Sequence, residues 1–144
     1  MSRKASKMEK QSGVIPYRIR NGRIEVLLIS TRSSKKWVIP KGGIPKAMTP
    51  ADSAVKEAWE EAGVVGEVNG NQLGSYKYRK QGKIYSVEVF LLPVEAELSD
   101  WLEASTRVRQ WLDVPSAAKQ VKPGALKRLL KTSFNQITLA MCGG

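Results

Sequence analysis

The segment Gly42 to Val64, GGIPKAMTPADSAVKEAWEEAGV, has the clearest structural pattern in the sequence, that of a capped helix. Thr49 followed by Pro50 is a strong helix start, because threonine caps the first backbone N–H groups and proline is tolerated in the first turn. The helix should end at Gly63, the residue type most often found just past a helix C-terminus. One face of this helix is small and apolar: Ala51, Ala54, Val55, Ala58 and Ala62. This narrow stripe predicts close packing against a sheet.

A second face of the same helix carries three carboxylates. Glu57 and Glu61 are one turn apart, and Glu60 lies beside them. Carboxylates that converge next to a buried stripe repel one another and raise one another's pKa, so a purely structural helix gains little from them. A solvated helix face is the alternative, but no lysine follows the three glutamates one turn later. A hard divalent cation would convert the repulsion into coordination.

The composition limits the fold and the metal chemistry. A chain of 144 residues suffices for one compact domain and is short for two. With no histidine and one cysteine, zinc is nearly excluded, so magnesium, manganese or calcium with oxygen ligands is expected. No apolar run is long enough to span a bilayer, and no hydrophobic segment follows the basic start. We therefore predict a cytoplasmic protein that does not associate with membranes.

The sequence on both sides of the helix has the pattern of strands, and two further helices follow. The predicted strands are residues 12–19, 24–31, 35–43, 64–68, 72–80, 83–95 and 106–113. The first two are joined by a predicted hairpin turn at Asn21-Gly22, and strands 72–80 and 83–95 by a turn at Gln81-Gly82. The predicted helices at the end are residues 114–121 and 124–134, the second with leucines at helical spacing. This order predicts an α+β fold in which a mixed sheet is sandwiched between helices. The predicted domain covers residues 11–134, between a flexible basic tail (1–10) and a C-terminal tail (135–144).

Basic residues outnumber acidic ones by 24 to 13 and are unevenly placed. They concentrate between Arg18 and Lys46 and again between Lys77 and Lys83. Such positive regions attract polyanions: phosphorylated small molecules, nucleic acid or an acidic membrane surface. A solvated basic surface that only keeps the protein soluble is the alternative.

The segment Gly42–Val64 resembles the Nudix box, G-x5-E-x7-R-E-U-x-E-E-x-G-U, where U is a bulky aliphatic residue. Six residues fall at its fixed positions: Gly42, Glu57, Glu60, Glu61, Gly63 and Val64. Met48 stands where the first glutamate belongs, Lys56 where the arginine belongs, and Ala58 is small for the aliphatic position. The resemblance extends over residues 10–130. The motifs VLLIST, WVIPKGG, LGSYKYRK and RVRQWLDVPSA are similar to the diphosphoinositol polyphosphate phosphohydrolase branch.

The resemblance implies a Nudix-type α/β/α sandwich that hydrolyses a diphosphate linkage, with Mg²⁺ or Mn²⁺ as cofactor and water as nucleophile. It implies Glu57 and Glu61 as the main metal ligands and Glu60 as a further ligand or the base. The backbone carbonyl near Gly42 would complete the ligand set, and Lys41 would stabilise the phosphoryl transition state.

The same resemblance assigns roles to the glycines and to the two departures from the box. Gly42 and Gly43 would let the backbone approach the metal and the phosphate. Met48 removes a carboxylate from the loop. The arginine of the family orients a metal-binding glutamate by a paired hydrogen bond, and Lys56 supplies the charge without the bidentate fork.

Matching the branch position by position suggests which cations contact substrate phosphates: Lys10, Arg32, Lys41, Arg79, Arg107 and Lys122. The expected substrate is a small polyphosphate, either a diphosphoinositol polyphosphate or a diadenosine polyphosphate. Two alternatives stay open. One is removal of pyrophosphate from an RNA 5′ end, which the basic surface allows, although nucleic acid is not favoured as a partner. The other is a non-catalytic Nudix module that binds a phosphorylated ligand.

Overall fold

The computed structural model describes residues 8–31, 36–68 and 72–142, and within them the chain forms eight β-strands and three α-helices. The strands are β1 (Met8–Arg20), β2 (Arg23–Ser30), β3 (Trp37–Val38), β4 (Lys41–Gly43), β5 (Val64–Gly66), β6 (Gly74–Lys80), β7 (Lys83–Glu97) and β8 (Arg109–Asp113). The helices are α1 (Pro50–Glu57), which continues as a π-helical turn (Ala58–Ala62), α2 (Val114–Gln120) and α3 (Gly124–Cys142).

The strands form one mixed sheet around the parallel pair β1 and β7. The other described pairs are antiparallel: β2 and β4 lie along β1, β3 and β8 along β2, and β5 and β6 along β7. Two hairpins close at Asn21-Gly22 and Gln81-Gly82, where both residues have positive φ. These turns match the right-handed twist of the strands, and both were predicted from the sequence.

Helix α1 packs one face of the sheet through its small residues. The Thr49 side chain caps the helix by accepting a hydrogen bond from the Asp52 N–H at 3.1 Å. Ala54, Ala58 and Ala62 are fully buried, and their core cluster includes sheet residues such as Val14, Leu27, Phe90 and Leu92. Because alanine side chains are short, the helix lies close to the strands, and the predicted apolar stripe is confirmed.

Helices α2 and α3 cover the opposite face of the sheet, which confirms the predicted sandwich. Leu126, Leu130 and Ile137 of α3 are buried in this second core. Secondary structure continues past both predicted domain limits, 11 and 134. Helix α3 extends to Cys142, because its buried face continues to Ile137, and β1 begins at Met8, where it pairs with Ile84 of β7.

In the described residues, no helix is both long and apolar enough to cross a membrane. The cytoplasmic location stays a prediction.

Candidate active site

The C-terminal half of the acidic helix is a π-helical turn. From Ala58 to Ala62 the hydrogen bonds span five residues, and the Gly63 N–H reaches back to the Ala58 carbonyl. Gly63 ends the helix with φ of 65°, as the sequence predicted. Single π-turns are rare and are frequent at functional sites. This turn contains Glu60 and Glu61 and follows Glu57 directly.

Glu57 and Glu61 form a carboxyl pair beside the Gly42 backbone. The two carboxyl groups lie close enough to share a proton, and Glu61 is buried. A Cβ atom at position 42 would collide with the Glu57 carboxylate, so only glycine fits there while Glu57 keeps this position. The structure thus brings together three of the residues that the resemblance assigned to the metal: Glu57, Glu61 and Gly42.

A backbone amide and a guanidinium face the two oxygens of Glu61. Its Oε1 accepts a hydrogen bond from the Lys41 backbone N–H at 3.2 Å, and its Oε2 lies 3.5 Å from Nη2 of Arg107. Burial nevertheless raises the pKa of Glu61 to about 8; Arg107 and the Lys41 N–H oppose this shift, and Glu57 adds to it. The pKa of Glu57 is also raised, chiefly by burial. Two carboxyls this close, one buried and one half-buried, favour a shared proton or a bound cation.

Glu60, the third carboxylate of this helix, has an ion-pair partner of its own. Its carboxylate is 3.0 Å from Nζ of Lys56, one helical turn earlier. Lys56 precedes Glu60, whereas the sequence-based prediction considered only lysines that follow the glutamates, so this i,i+4 pair was not predicted. The lysine that replaces the arginine of the Nudix box therefore contacts Glu60, and its side chain is 44% exposed.

The carbonyl end of the acidic helix is held by a segment distant in sequence. Arg109 donates from Nη1 to the Ala62 carbonyl at 2.8 Å, and the Trp101 indole N–H donates to the Glu61 carbonyl at 3.0 Å. The Arg109 guanidinium stacks over the Trp101 ring at 4.0 Å. These contacts span 40 to 47 residues along the chain, so no local sequence pattern could have revealed them.

The donor set fits a magnesium-type cation. Among residues 8–31, 36–68 and 72–142, no group of three or more His, Cys, Asp or Glu side chains is arranged to hold a metal. Magnesium commonly uses one or two carboxylates and completes its octahedron with waters and substrate phosphates. Glu57 and Glu61, which otherwise favour a shared proton, would provide two carboxylates beside the Gly42 backbone.

A cavity of about 450 Å³ is lined in part by Lys41, whose backbone N–H bonds Glu61, and we call it the basic pocket. Its cations are Lys36, Lys41, Arg79, Lys80 and Lys122, and its aromatic residues are Trp37, Tyr76 and Tyr78. The structure thus brings together Lys41, Arg79 and Lys122, as the sequence predicted. Lys36 and Lys80 were not predicted as site residues, although both belong to the basic segments of the sequence.

Lys41 is the most enclosed cation of the basic pocket. Its Nζ lies 5.0 Å from the centre of the Tyr78 ring. Burial lowers the pKa of Lys41 to about 8, with Glu61 opposing the shift and Arg107 and Lys80 adding to it. The positive charge of this lysine is therefore costly until an anion binds beside it.

Other predicted substrate contacts lie elsewhere. Arg107 is not part of the basic pocket lining; its guanidinium is bonded to protein acceptors next to Glu61. Lys10 lies on β1 opposite Ser86, and strand alternation places it on the other sheet face from Gln11, which bonds Tyr78. Gly43 has open space where a Cβ would be. Arg32 lies outside the described residues.

Known proteins share this sequence pattern. The sequence model of the NUDIX domain matches residues 9–131. "Nudix hydrolase 12, mitochondrial" of Arabidopsis thaliana is 32% identical over 141 residues, covering 83% of this chain and 70% of the relative. "Diphosphoinositol polyphosphate phosphohydrolase 3-beta" of Bos taurus is 37% identical over 98 residues, covering 66% of this chain and 58% of the relative.

Solved structures share the fold. The binary complex of an Ap4A hydrolase from C. elegans superposes with a TM-score of 0.78 at 23% identity, covering 90% of this chain and 98% of that one. The NUDIX domain of Shewanella oneidensis NrtR, complexed with ADP ribose, gives a TM-score of 0.73 at 12% identity and covers 92% and 90% of the two chains. With the box residues on the acidic helix and these matches, the chain belongs to the Nudix family and is a hydrolase of the pyrophosphohydrolase type.

Proposed function

We propose that this enzyme uses Mg²⁺ or Mn²⁺ to hydrolyse a diphosphate linkage in a phosphate-rich small molecule, by attack of water at phosphorus. Diphosphoinositol polyphosphates and diadenosine polyphosphates are the substrate classes that fit. The observation that carries the proposal is the double position of Lys41. Its backbone N–H donates a hydrogen bond to Glu61, and Lys41 is also part of the basic pocket lining. A phosphate chain bound in the basic pocket would therefore reach the carboxylates.

The carboxylates have distinct roles in this proposal. Glu57 and Glu61 would hold the cation beside the Gly42 backbone, and Glu60 would serve as a further ligand or as the base. The bound cation supplies neutralisation of the diphosphate and a lowered pKa for the attacking water. Burial of Glu61 and its contacts with Lys41 and Arg107 keep this carboxylate in one orientation.

Lys41 would contact the phosphoryl group that is attacked. With a pKa of about 8 in the absence of an anion, it is close to losing its proton near neutral pH. A phosphate oxygen beside Nζ would raise that pKa and keep the ammonium charged. The charge would then stabilise the oxygens of the transferring group, which gain negative charge in the transition state.

Four cations further along the basic pocket favour a substrate with several phosphates: Lys36, Arg79, Lys80 and Lys122. A single diphosphate would leave most of them without an anion. Trp37 and Tyr78 in the same lining offer aromatic surface for a nucleobase, which a diadenosine polyphosphate would use. The names of the bovine relative and of the C. elegans enzyme, which refer to the same two substrate classes, support this choice.

The test is a substrate panel assayed with Mg²⁺, with Mn²⁺ and with EDTA. The panel contains a diphosphoinositol polyphosphate, diadenosine hexaphosphate, ADP-ribose and triphosphorylated RNA, and the readout is release of phosphate or mononucleotide. We expect the first two to have the highest kcat/KM and EDTA to abolish turnover. Fastest turnover of the RNA would contradict the substrate class, and tight binding without any product would indicate a binding module.

A further inference from the structure

We propose that Arg107 orients Glu61 for the cation, in place of the arginine that the Nudix box has at position 56. The inference rests on the proposed function, because it concerns the same carboxylate. Arg107 acts through Glu61 in this proposal and is a positioning residue. The sequence-based prediction gave it a different task, contact with a substrate phosphate.

The three guanidinium nitrogens of Arg107 each face a protein oxygen. Nε donates to Oε1 of Glu103 at 2.7 Å, and Nη1 donates to the Ser30 carbonyl at 2.9 Å. Nη2 lies 3.5 Å from Oε2 of Glu61, and the Arg107 side chain is only 10% exposed. Because its three nitrogens already face protein oxygens and its side chain is 10% exposed, little of the guanidinium is accessible to a substrate phosphate, so the geometry disfavours the predicted phosphate contact.

The backbone around Arg107 is anchored on both sides of the site. The Glu103 N–H donates to the Glu60 carbonyl at 3.1 Å, and the Arg107 N–H donates to the Glu103 carbonyl at 3.1 Å. The next residue, Val108, exchanges hydrogen bonds with Ser30 at the end of β2. The guanidinium is therefore held between α1 and β2 before any ligand binds, and a planar fork held this way loses little entropy on use.

Lys56 is placed for a different contact. Its ammonium is 3.0 Å from Glu60, and its side chain is 44% exposed, against 10% for Arg107. Glu61 instead has one oxygen on the Lys41 N–H and the other facing Arg107. Each carboxylate oxygen has a second lone pair, so both contacts leave room for a cation. In this proposal Arg107, just before β8, performs the task of the missing box arginine, which is to orient a metal-binding glutamate.

The experiment compares Arg107→Lys, Lys56→Arg and the double variant with the unaltered protein. Lysine at 107 keeps the positive charge next to Glu61, so the fold should be preserved. It loses only the planar fork of the guanidinium. Arg128→Lys on the exposed surface of α3 is the matched control. The readouts are Mn²⁺ affinity by electron paramagnetic resonance, kcat and KM for diadenosine hexaphosphate at saturating Mn²⁺, and Tm in EDTA.

We expect Arg107→Lys to weaken Mn²⁺ binding about ten-fold, the usual loss when a residue that supports a metal ligand is changed. KM at saturating Mn²⁺ should stay within about two-fold, because no phosphate contact is lost. Lys56→Arg should restore most of the affinity in the Arg107→Lys background, yet change the unaltered protein less than about two-fold, since both arginines would serve one carboxylate.

Three results would overturn the inference. A raised KM with unchanged Mn²⁺ affinity would make Arg107 a phosphate contact. A lowered Tm with unchanged affinity would make it a structural residue only. Equal gains from Lys56→Arg in both backgrounds would show that the two positions act independently. If the unaltered protein neither binds Mn²⁺ nor hydrolyses the substrate, the proposed function itself fails. The three results above require an unaltered protein that binds Mn²⁺ and is active, so the two kinds of failure can be distinguished.

Discussion

The carboxylate cluster (Glu57, Glu60 and Glu61) and the basic pocket are neighbours, but their charges are held differently. Within the cluster each carboxylate has a protein partner: Glu60 pairs with Lys56, Glu57 lies close enough to Glu61 to share a proton, and Glu61 contacts Arg107. In the basic pocket, Lys36, Arg79, Lys80 and Lys122 make no ion pair with any carboxylate in the described part of the chain. The acidic half is preorganised, while the basic half is left free for an anion.

The largest effect is expected for Glu61→Gln. The change keeps the size of the side chain but removes the charge that a hard cation needs, so turnover should fall by at least about 100-fold. The Tm in EDTA should not fall, because the buried carboxyl already holds a proton below about pH 8. Steady-state hydrolysis and thermal melts measure both. Glu67→Gln, at an exposed position after β5, is the matched control. Turnover at the unaltered rate would remove Glu61 from the cation site.

Gly42→Ala tests whether the cluster depends on the bare backbone beside it. The added Cβ would collide with the Glu57 carboxylate, so Glu57 must move, and we expect metal affinity to fall roughly 10-fold or more. Gly43→Ala is the matched comparison, because a Cβ there meets open space, and its loss should be much smaller. Calorimetric titration with Mn²⁺ gives both affinities. Equal losses at the two positions would show that the strand β4, rather than the contact with Glu57, is what matters.

On the basic side, Arg79→Ala or Lys122→Ala should weaken long polyphosphates more than short ones. A charge-assisted contact contributes about 1.5–3 kcal/mol, so losing one should reduce kcat/KM for diadenosine hexaphosphate by roughly ten-fold or more. ADP-ribose, with two phosphates near the cation and Lys41, should lose less than about two-fold. Lys131→Ala on the exposed side of α3 is the control. Equal losses on both substrates would mean that these cations support the chemistry or the fold.

The smallest effect is on stability as a function of pH. Without metal, folded Glu61 holds its proton up to about pH 8, whereas the unfolded side chain releases it near its ordinary pKa of 4.5. The free energy of unfolding should therefore fall between those values, by at most about 1.4 kcal/mol per pH unit. Folded Lys41 loses its proton near pH 8 and the unfolded side chain near 10.5, so stability should rise again above pH 8.

Thermal melts from pH 5 to pH 10 in EDTA should therefore show a minimum of stability near pH 8. Saturating Mg²⁺ should flatten the descending limb of this curve, the fall in stability as the pH rises towards 8, because a metal-bound carboxylate is already deprotonated. Glu61→Gln should flatten it without metal. A descending limb that survives in Glu61→Gln would assign the effect to other groups.

Local rules were enough to predict much of the fold from the sequence. Thr49 and Gly63 mark the ends of the acidic helix, its alanines form the buried stripe, and Asn21-Gly22 forms the hairpin turn. These features follow from backbone preferences and from the 3.6-residue period, which act within a few residues of chain. The box spacing likewise placed Glu57 and Glu61 together on one helix face.

The ion-pair partners of the site depend on long-range folding. Arg107 reaches Glu61 and Ser30 across much of the chain, the second contact being 77 residues apart, while the nearby Lys56 contacts Glu60. Lys41 belongs to both halves of the site because β4 pairs with β1 beside the acidic helix. Long flexible side chains have many partners within reach, and burial and strand pairing select among them. The carboxylates and their helix could therefore be predicted from local sequence, whereas their partners depend on contacts that form only in the folded chain.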